Sequence, residues 1–226
     1  MTSTEMLSRL RGLLDESSAG FWTDAQLYQY LDSAQNLIIN KLLDKQKQLK
    51  LALGNNYEIE TLKPLIKLSS AISTSTNPNI SLSGISDLLE IYQVYLYDNT
   101  NKNELLLNYI PLYDFRRRKE NAYTSHTYSK ADKTGQVYCS WYQGNIVTSF
   151  TAITTDTTYT TYVYDKAYVY YYAQPATVAA GQNYTLPSNT HEAGVLFAAA
   201  LANFQNGKVQ EGNLFYQQAE KLIQNG

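Results

Sequence analysis

The stretch from Leu10 to Ile39, LRGLLDESSAGFWTDAQLYQYLDSAQNLII, restricts the folds open to this chain more than any other. It reads as the end of one amphipathic helix, a tight loop carrying the aromatic pair Phe21 and Trp22, and a second helix opened by a Thr23/Asp24 cap. Leu27, Leu31, Ala34 and Ile38 recur at helical spacing, so one face of that second helix is apolar. Phe21 and Trp22 stand just before the cap, where a hydrophobic staple onto the first turn would fix the angle of entry. A helix striped on one side must bury the stripe against something else, so this hairpin needs partners from elsewhere in the chain.

The ends of the chain supply them. Thr2 with Glu5 forms a capping-box pattern, and Met6, Leu10, Leu13 and Leu14 make the inward stripe of the first helix. The second helix runs from about Asp24 to Leu53, where Gly54-Asn55-Asn56 stops it. Near the C-terminus, Asn189 or Thr190 caps a third helix with Ala193, Phe197, Ala200, Leu201 and Phe204 on one face. Asn206-Gly207 breaks it, and the last helix carries Phe215, Ala219, Leu222 and Ile223.

Between these helices the period is two. Leu62, Pro64 and Ile66 bracket a first strand, and residues 69–79 form a small-polar loop. Leu88 to Tyr97 is a strand, Asp98 to Asn103 a turn and Leu105 to Leu107 a strand; PLYDFRRRKENAY reads as a short helix. Gln136 to Phe150 is a second β block turning at Gly144-Asn145, and Tyr162 to Tyr172 is an aromatic strand interrupted at Asp165-Lys166. The fold class is α+β: a helical bundle of N- and C-terminal helix pairs, residues 1–56 and 189–226, with a long tyrosine-rich antiparallel β insertion over 57–188.

Composition narrows the function. A formal net charge of -2 argues against a general nucleic-acid binder. Charged residues are 17% while tyrosines number 21, so the polar surface consists largely of hydroxyls and amides. Tyrosine suits both β-strands and protein interfaces, and the two readings are compatible. Cys139 is the only cysteine, which leaves no intrachain disulfide, and its strand context reads as an inert half-buried thiol. No apolar leader or membrane-length run is evident, so the expectation is a soluble protein made in a cytoplasm, with no membrane partner.

Candidate chemistry is sparse. His126 and His191 lack a helix-spaced ligand companion, and His191 beside Glu192 reads as a capping-region residue. Nucleophile-elbow and phosphate-loop patterns are missing, and the segment 98–103 fails as a calcium loop because Thr100 and Lys102 occupy ligand positions. The chain therefore reads as a non-enzyme with no catalytic, cofactor-binding or metal residues. One basic cluster stands out, Arg116, Arg117, Arg118 and Lys119. It is either a solvated surface or a contact for acidic groups of a neighbouring subunit or for DNA.

The residue order resembles the head-to-tail connector adaptors of tailed bacteriophages. The resemblance rests on Leu13-Leu14-Asp15-Glu16, Phe21-Trp22-Thr23-Asp24, Tyr30-Leu31-Asp32 and Ala34-Gln35. It continues through Tyr142, Gly144 with Ile146, Tyr168 to Tyr172 with Pro175, Leu186-Pro187 and His191. The chain departs from the pattern in SFTAITTDTTYTT after Ile146 and in the loop 69–79, both within the insertion.

The resemblance implies a structural virion protein of the neck that docks on the portal ring and extends the DNA channel toward tail or nozzle proteins. It also implies self-assembly into a ring of about twelve copies, with DNA passing without sequence-specific contact. The candidate interface comprises Arg116, Arg117, Arg118, Lys119, Phe215, Tyr216, Leu222 and Ile223. The alternative is a β-rich binding module on a helical base, recognising carbohydrate or a host surface through aromatic platforms.

Overall fold

A computed structural model describes residues 1–16, 20–53, 58–74, 80–99, 102–109, 112–114, 138–148, 165–182 and 184–225. The chain divides into two compact units. Met1–Leu65 joins Pro175–Gly226 in one, and Ile66–Gln174 forms the other.

The first unit is helical. Helix α1 spans Ser3–Leu13 and opens on the expected capping box: Glu5 N–H donates to Thr2 Oγ1 at 3.2 Å and Thr2 N–H to Glu5 Oε2 at 2.7 Å. Helix α2 spans Asp24–Leu53. Thr23 and Gln26 form a second such box, with Gln26 N–H donating to Thr23 Oγ1 and Thr23 N–H to Gln26 Oε1. Leu27, Leu31, Ala34 and Ile38 are all fully buried, as their spacing requires. Two helices from the other end of the chain complete the unit: α3, His191–Gln205, and α4, Val209–Asn225. Helices α1, α2 and α4 each pack on α3.

That central place explains the composition of α3. A helix buried on nearly every side must be apolar all round and thin enough for neighbours to approach, and Ala193, Ala198, Ala199, Ala200 and Ala202 meet both needs. Thr190 does not cap α3 through its side chain; its hydroxyl donates to the Pro187 carbonyl, because the chain enters through a 3-10 turn, Ser188–Thr190. Leu62 and Pro64, expected in a strand, lie instead in a 3-10 helix over Glu60–Leu65. Proline lacks the N–H a sheet ladder requires, and Leu62 and Leu65 are buried at the spacing a tight helix provides.

The second unit is a sheet. Its strands are β1 Ile66–Leu68, β2 Ile72–Ser73, β3 Ile80–Ser81, β4 Leu88–Asp98, β5 Asn103–Tyr109, β6 Tyr138–Tyr142, β7 Asn145–Thr148 and β8 Lys166–Ala173. The spatial order is β1-β8-β4-β5-β6-β7-β3, with β2 also on β8. The pairs are antiparallel except β5 with β6, which is parallel; a long connection from Tyr109 to Tyr138 makes that direction possible. Gln143 and Gly144, not Gly144-Asn145, make the β6–β7 turn, with φ of 50° and 74°. A two-residue hairpin whose residues both take positive φ matches the strand twist.

One face of this sheet is a core of Ile80, Leu82, Ile91, Val94, Leu96, Leu107, Cys139, Ile146, Val169 and neighbours. The opposite face of β4 and β8 carries tyrosines, because residues alternate along each strand. Asp87 pins the start of β4, accepting from Lys67 Nζ at 2.6 Å and the Tyr171 hydroxyl at 2.9 Å. The hydrogen bond from Lys67, reinforced by the one from Tyr171, holds its carboxyl below the usual carboxylate range.

Candidate protein-binding surfaces

The loop between α1 and α2 is organised by a side chain that the apolar pattern gave no reason to single out. Arg11 is buried, and its guanidinium donates to Asp24 Oδ1 at 2.5 Å and 3.2 Å, to Glu16 Oε2 at 3.2 Å and to the Trp22 carbonyl at 3.1 Å. Glu16 in turn accepts from the Phe21 N–H at 3.0 Å and the Trp22 N–H at 3.3 Å. Charge-assisted bonds of this kind satisfy the backbone where the chain reverses. Within the aromatic pair the roles divide. Trp22 is buried and meets Tyr30 edge-on at 5.4 Å, while Phe21 is 66% exposed with its ring edge-on to Trp22 at 4.8 Å.

On α4 the candidate residues fall on different sides. Tyr216 packs inward on Phe197 at 5.0 Å with the Lys41 ammonium over its ring, and Ile223 is buried. Lys41 also reaches Glu220 at 2.6 Å, and the hydrogen bond to Glu220, the largest cause, raises its pKa. Phe215 is half-buried, and Leu222 is exposed. Leu214, which the stripe reading passed over, is 56% exposed. Arg116, Arg117, Arg118, Lys119 and His126 lie outside the described residues.

Among the described residues, the tyrosine face shows three cross-strand pairs. Tyr92 meets Tyr172 and Tyr95 meets Tyr170 at 5.6 Å, and Tyr97 meets Tyr168 at 6.2 Å, all edge-to-face. In register Tyr95 stands opposite Tyr168, so its ring reaches the diagonal neighbour, an offset that long side chains on a twisted sheet can span.

The family model of the SU10 adaptor protein matches residues 1–225. The chain belongs to that family. It is thus a structural phage adaptor, a type of protein whose work lies in contacts with other virion proteins. No curated protein matches the adaptor sequence.

In the adaptor, the two residues with the most evident chemical capacity have structural surroundings. His191 Nε2 donates to the Leu186 carbonyl at 2.8 Å, while Nδ1 accepts from the Met1 amino group at 2.8 Å, which fixes the neutral tautomer. Burial is the main cause that lowers its pKa. Cys139 is fully buried in the sheet core, and desolvation pushes its thiol up to about 12, far from a reactive thiolate. Among the described residues no cluster of His, Cys, Asp and Glu could hold a metal ion, and no helix is long and apolar enough to cross a membrane.

Sequence reasoning missed the buried polar residues of α2. Gln35 Nε2 donates to the Ala176 carbonyl at 3.0 Å and its Oε1 accepts from Thr185 N–H at 3.1 Å, while Asp32 accepts from Val178 N–H at 3.0 Å. Gln46 Oε1 accepts from Ile59 N–H at 3.1 Å. Gln35 and Gln46 are eleven residues apart, three helical turns, and so share a face. A glutamine breaking an otherwise apolar stripe was the only local signal.

Proposed function

We propose that this adaptor is a head-to-tail connector: it docks on the portal ring, assembles there as a ring of about twelve copies, and extends the DNA channel toward tail or nozzle proteins. The observation that carries the reading is the family match over residues 1–225, together with a helical unit that both chain ends build. The adaptor would be made in the host bacterial cytoplasm and reside at the virion neck. Of the candidate contacts, Leu222 is available on the surface of α4, and Phe215 is half-buried. The Arg116–Lys119 cluster would meet acidic groups of a neighbouring subunit or the passing duplex. A chain of net charge -2 would hold that polyanion loosely, which favours transit over retention.

The carbohydrate reading finds less support. Sugar platforms present flat, open aromatic faces, whereas Tyr92, Tyr95, Tyr97, Tyr168, Tyr170 and Tyr172 engage one another edge-to-face and are buried or half-buried. The connector reading is tested by co-purifying the adaptor with its phage's portal ring and by locating it in a reconstruction of the particle. Capture by the portal and density at the neck are expected; an adaptor found only within the capsid or at the fibres sinks the reading.

A further inference from the structure

Phe21 is an exposed aromatic held still. Its backbone is fixed by Glu16, Glu16 by the buried Arg11, and its ring by the edge of Trp22. The fold gains little from a ring that is 66% exposed, yet it holds the backbone on either side of that ring in place. A rigidly presented aromatic loses little freedom on binding, which is the property of an interface anchor. Around it the charge is acidic: Glu16 and Asp24 share the cation Arg11, and Asp15 adds a further carboxylate next in sequence to Glu16.

The same unit offers a complementary surface. Leu214, Gln218, Lys221 and Leu222 follow the i, i+4, i+7, i+8 rule along α4, and all four are exposed. Leu214 is 56% and Leu222 42% exposed, so the stripe has an apolar residue at each end, with Gln218 between them and the cation Lys221 beside Leu222. The stripe and Phe21 are separate patches, one on α4 and one before α2. Helix α1 meets α3 at Glu192 and Gly194, whereas α4 meets it at Phe197, Ala200 and Phe204. Helix α1 thus packs along the first turn of α3 and α4 along the turns beyond it.

We infer that Phe21 of one copy seats on the Leu214–Leu222 stripe of the next, with its acidic rim against Lys221. Two unlike, separate patches allow a head-to-tail contact, and a repeated head-to-tail contact gives a ring where the rotation between copies closes. The inference rests on the connector reading, because it names the partner copy within that ring.

The test uses assembled phage particles whose adaptor carries Ala25→Cys on the exposed first turn of α2 and Gln218→Cys on the stripe, treated with a short bis-maleimide. The native Cys139 is fully buried and does not compete. A ladder of cross-linked multimers is expected from the double variant and only monomer from either single variant. Dimers from a single variant, or no cross-link in the double variant, overturn the proposal. Mass spectrometry of the same particles separates the two readings. Adaptor present but not cross-linked refutes this contact alone, while adaptor absent from wild-type particles refutes the connector reading and this contact with it. Phe21→Ala, at a solvent-exposed position, is expected to lower the adaptor retained on particles at least about tenfold, the loss typical of an anchor truncation. Wild-type retention overturns the proposal.

Discussion

Tyr184 and Gly194 approach so closely that each constrains the other. A Cβ at position 194 would lie 2.7 Å from the Tyr184 hydroxyl oxygen and 3.3 Å from Met6 Cε, so Gly194 is what admits the tyrosine ring. The hydroxyl is buried and has no hydrogen-bond partner among the described residues. Tyr184→Phe should therefore raise the urea midpoint, stabilising by up to about 1 kcal/mol, since it removes a desolvated group that gains nothing. Gly194→Ala should lower it by about 1–3 kcal/mol through overpacking, and less in the Tyr184→Phe background where the nearest atom is gone. A lower midpoint for Tyr184→Phe would show that the hydroxyl has a partner. His191 supplies a pH dependence. Its folded pKa is depressed below the ordinary 6.5, so its contribution is fully present above that value and is lost as pH falls through the lowered folded value. Thermal melts should show the helical unit weakening as pH drops below about 6.5, with His191→Gln flattening that slope.

At the level of elements, α2 acts as a brace as well as a core helix. Gln35 and Gln46 hold the chain on either side of the β strands, one at Ala176 and Thr185, the other at Ile59. Gln35→Ala leaves a carbonyl and an N–H without partners, which should cost about 1–3 kcal/mol and speed hydrogen exchange at the Thr185 amide. An unchanged exchange rate there would show that water replaces the side chain. Helix α4 likewise belongs to the core. Ala219 is fully buried and Tyr216 packs on Phe197, so removing residues 212–226 would strip the bundle and could not serve as a clean test of docking. Among the elements, the Thr2–Glu5 box was readable because its partners stand three residues apart, whereas at α2 the sequence reading gave the Thr23/Asp24 cap without the Gln26 partner. The 3-10 helix over Glu60–Leu65 was not, because three apolar positions two apart do not separate a strand from a tight helix until Pro64 is weighed.

For the whole molecule, the lone cysteine reports on one unit. Cys139 lies in the sheet core, so a thiol reagent should leave the native protein unlabelled and react only as that unit opens. Labelling should track the denaturant dependence of the β unit, and rapid labelling without denaturant would contradict the burial. The sequence by itself determined the helical stripes, the two N-terminal caps, the tyrosine-rich strands and the adaptor resemblance, because each is written in residues within a few positions of one another. Tertiary structure alone decided that α3 lies at the centre, that Arg11 ties Glu16 to Asp24, that β5 and β6 run parallel, and that Tyr216 turns inward while Phe21 and Leu214 face out. Those outcomes depend on which distant surfaces compete for the same apolar area, and residues as far apart as Tyr30 and Gln205, which share a hydrogen bond, carry no local trace of each other.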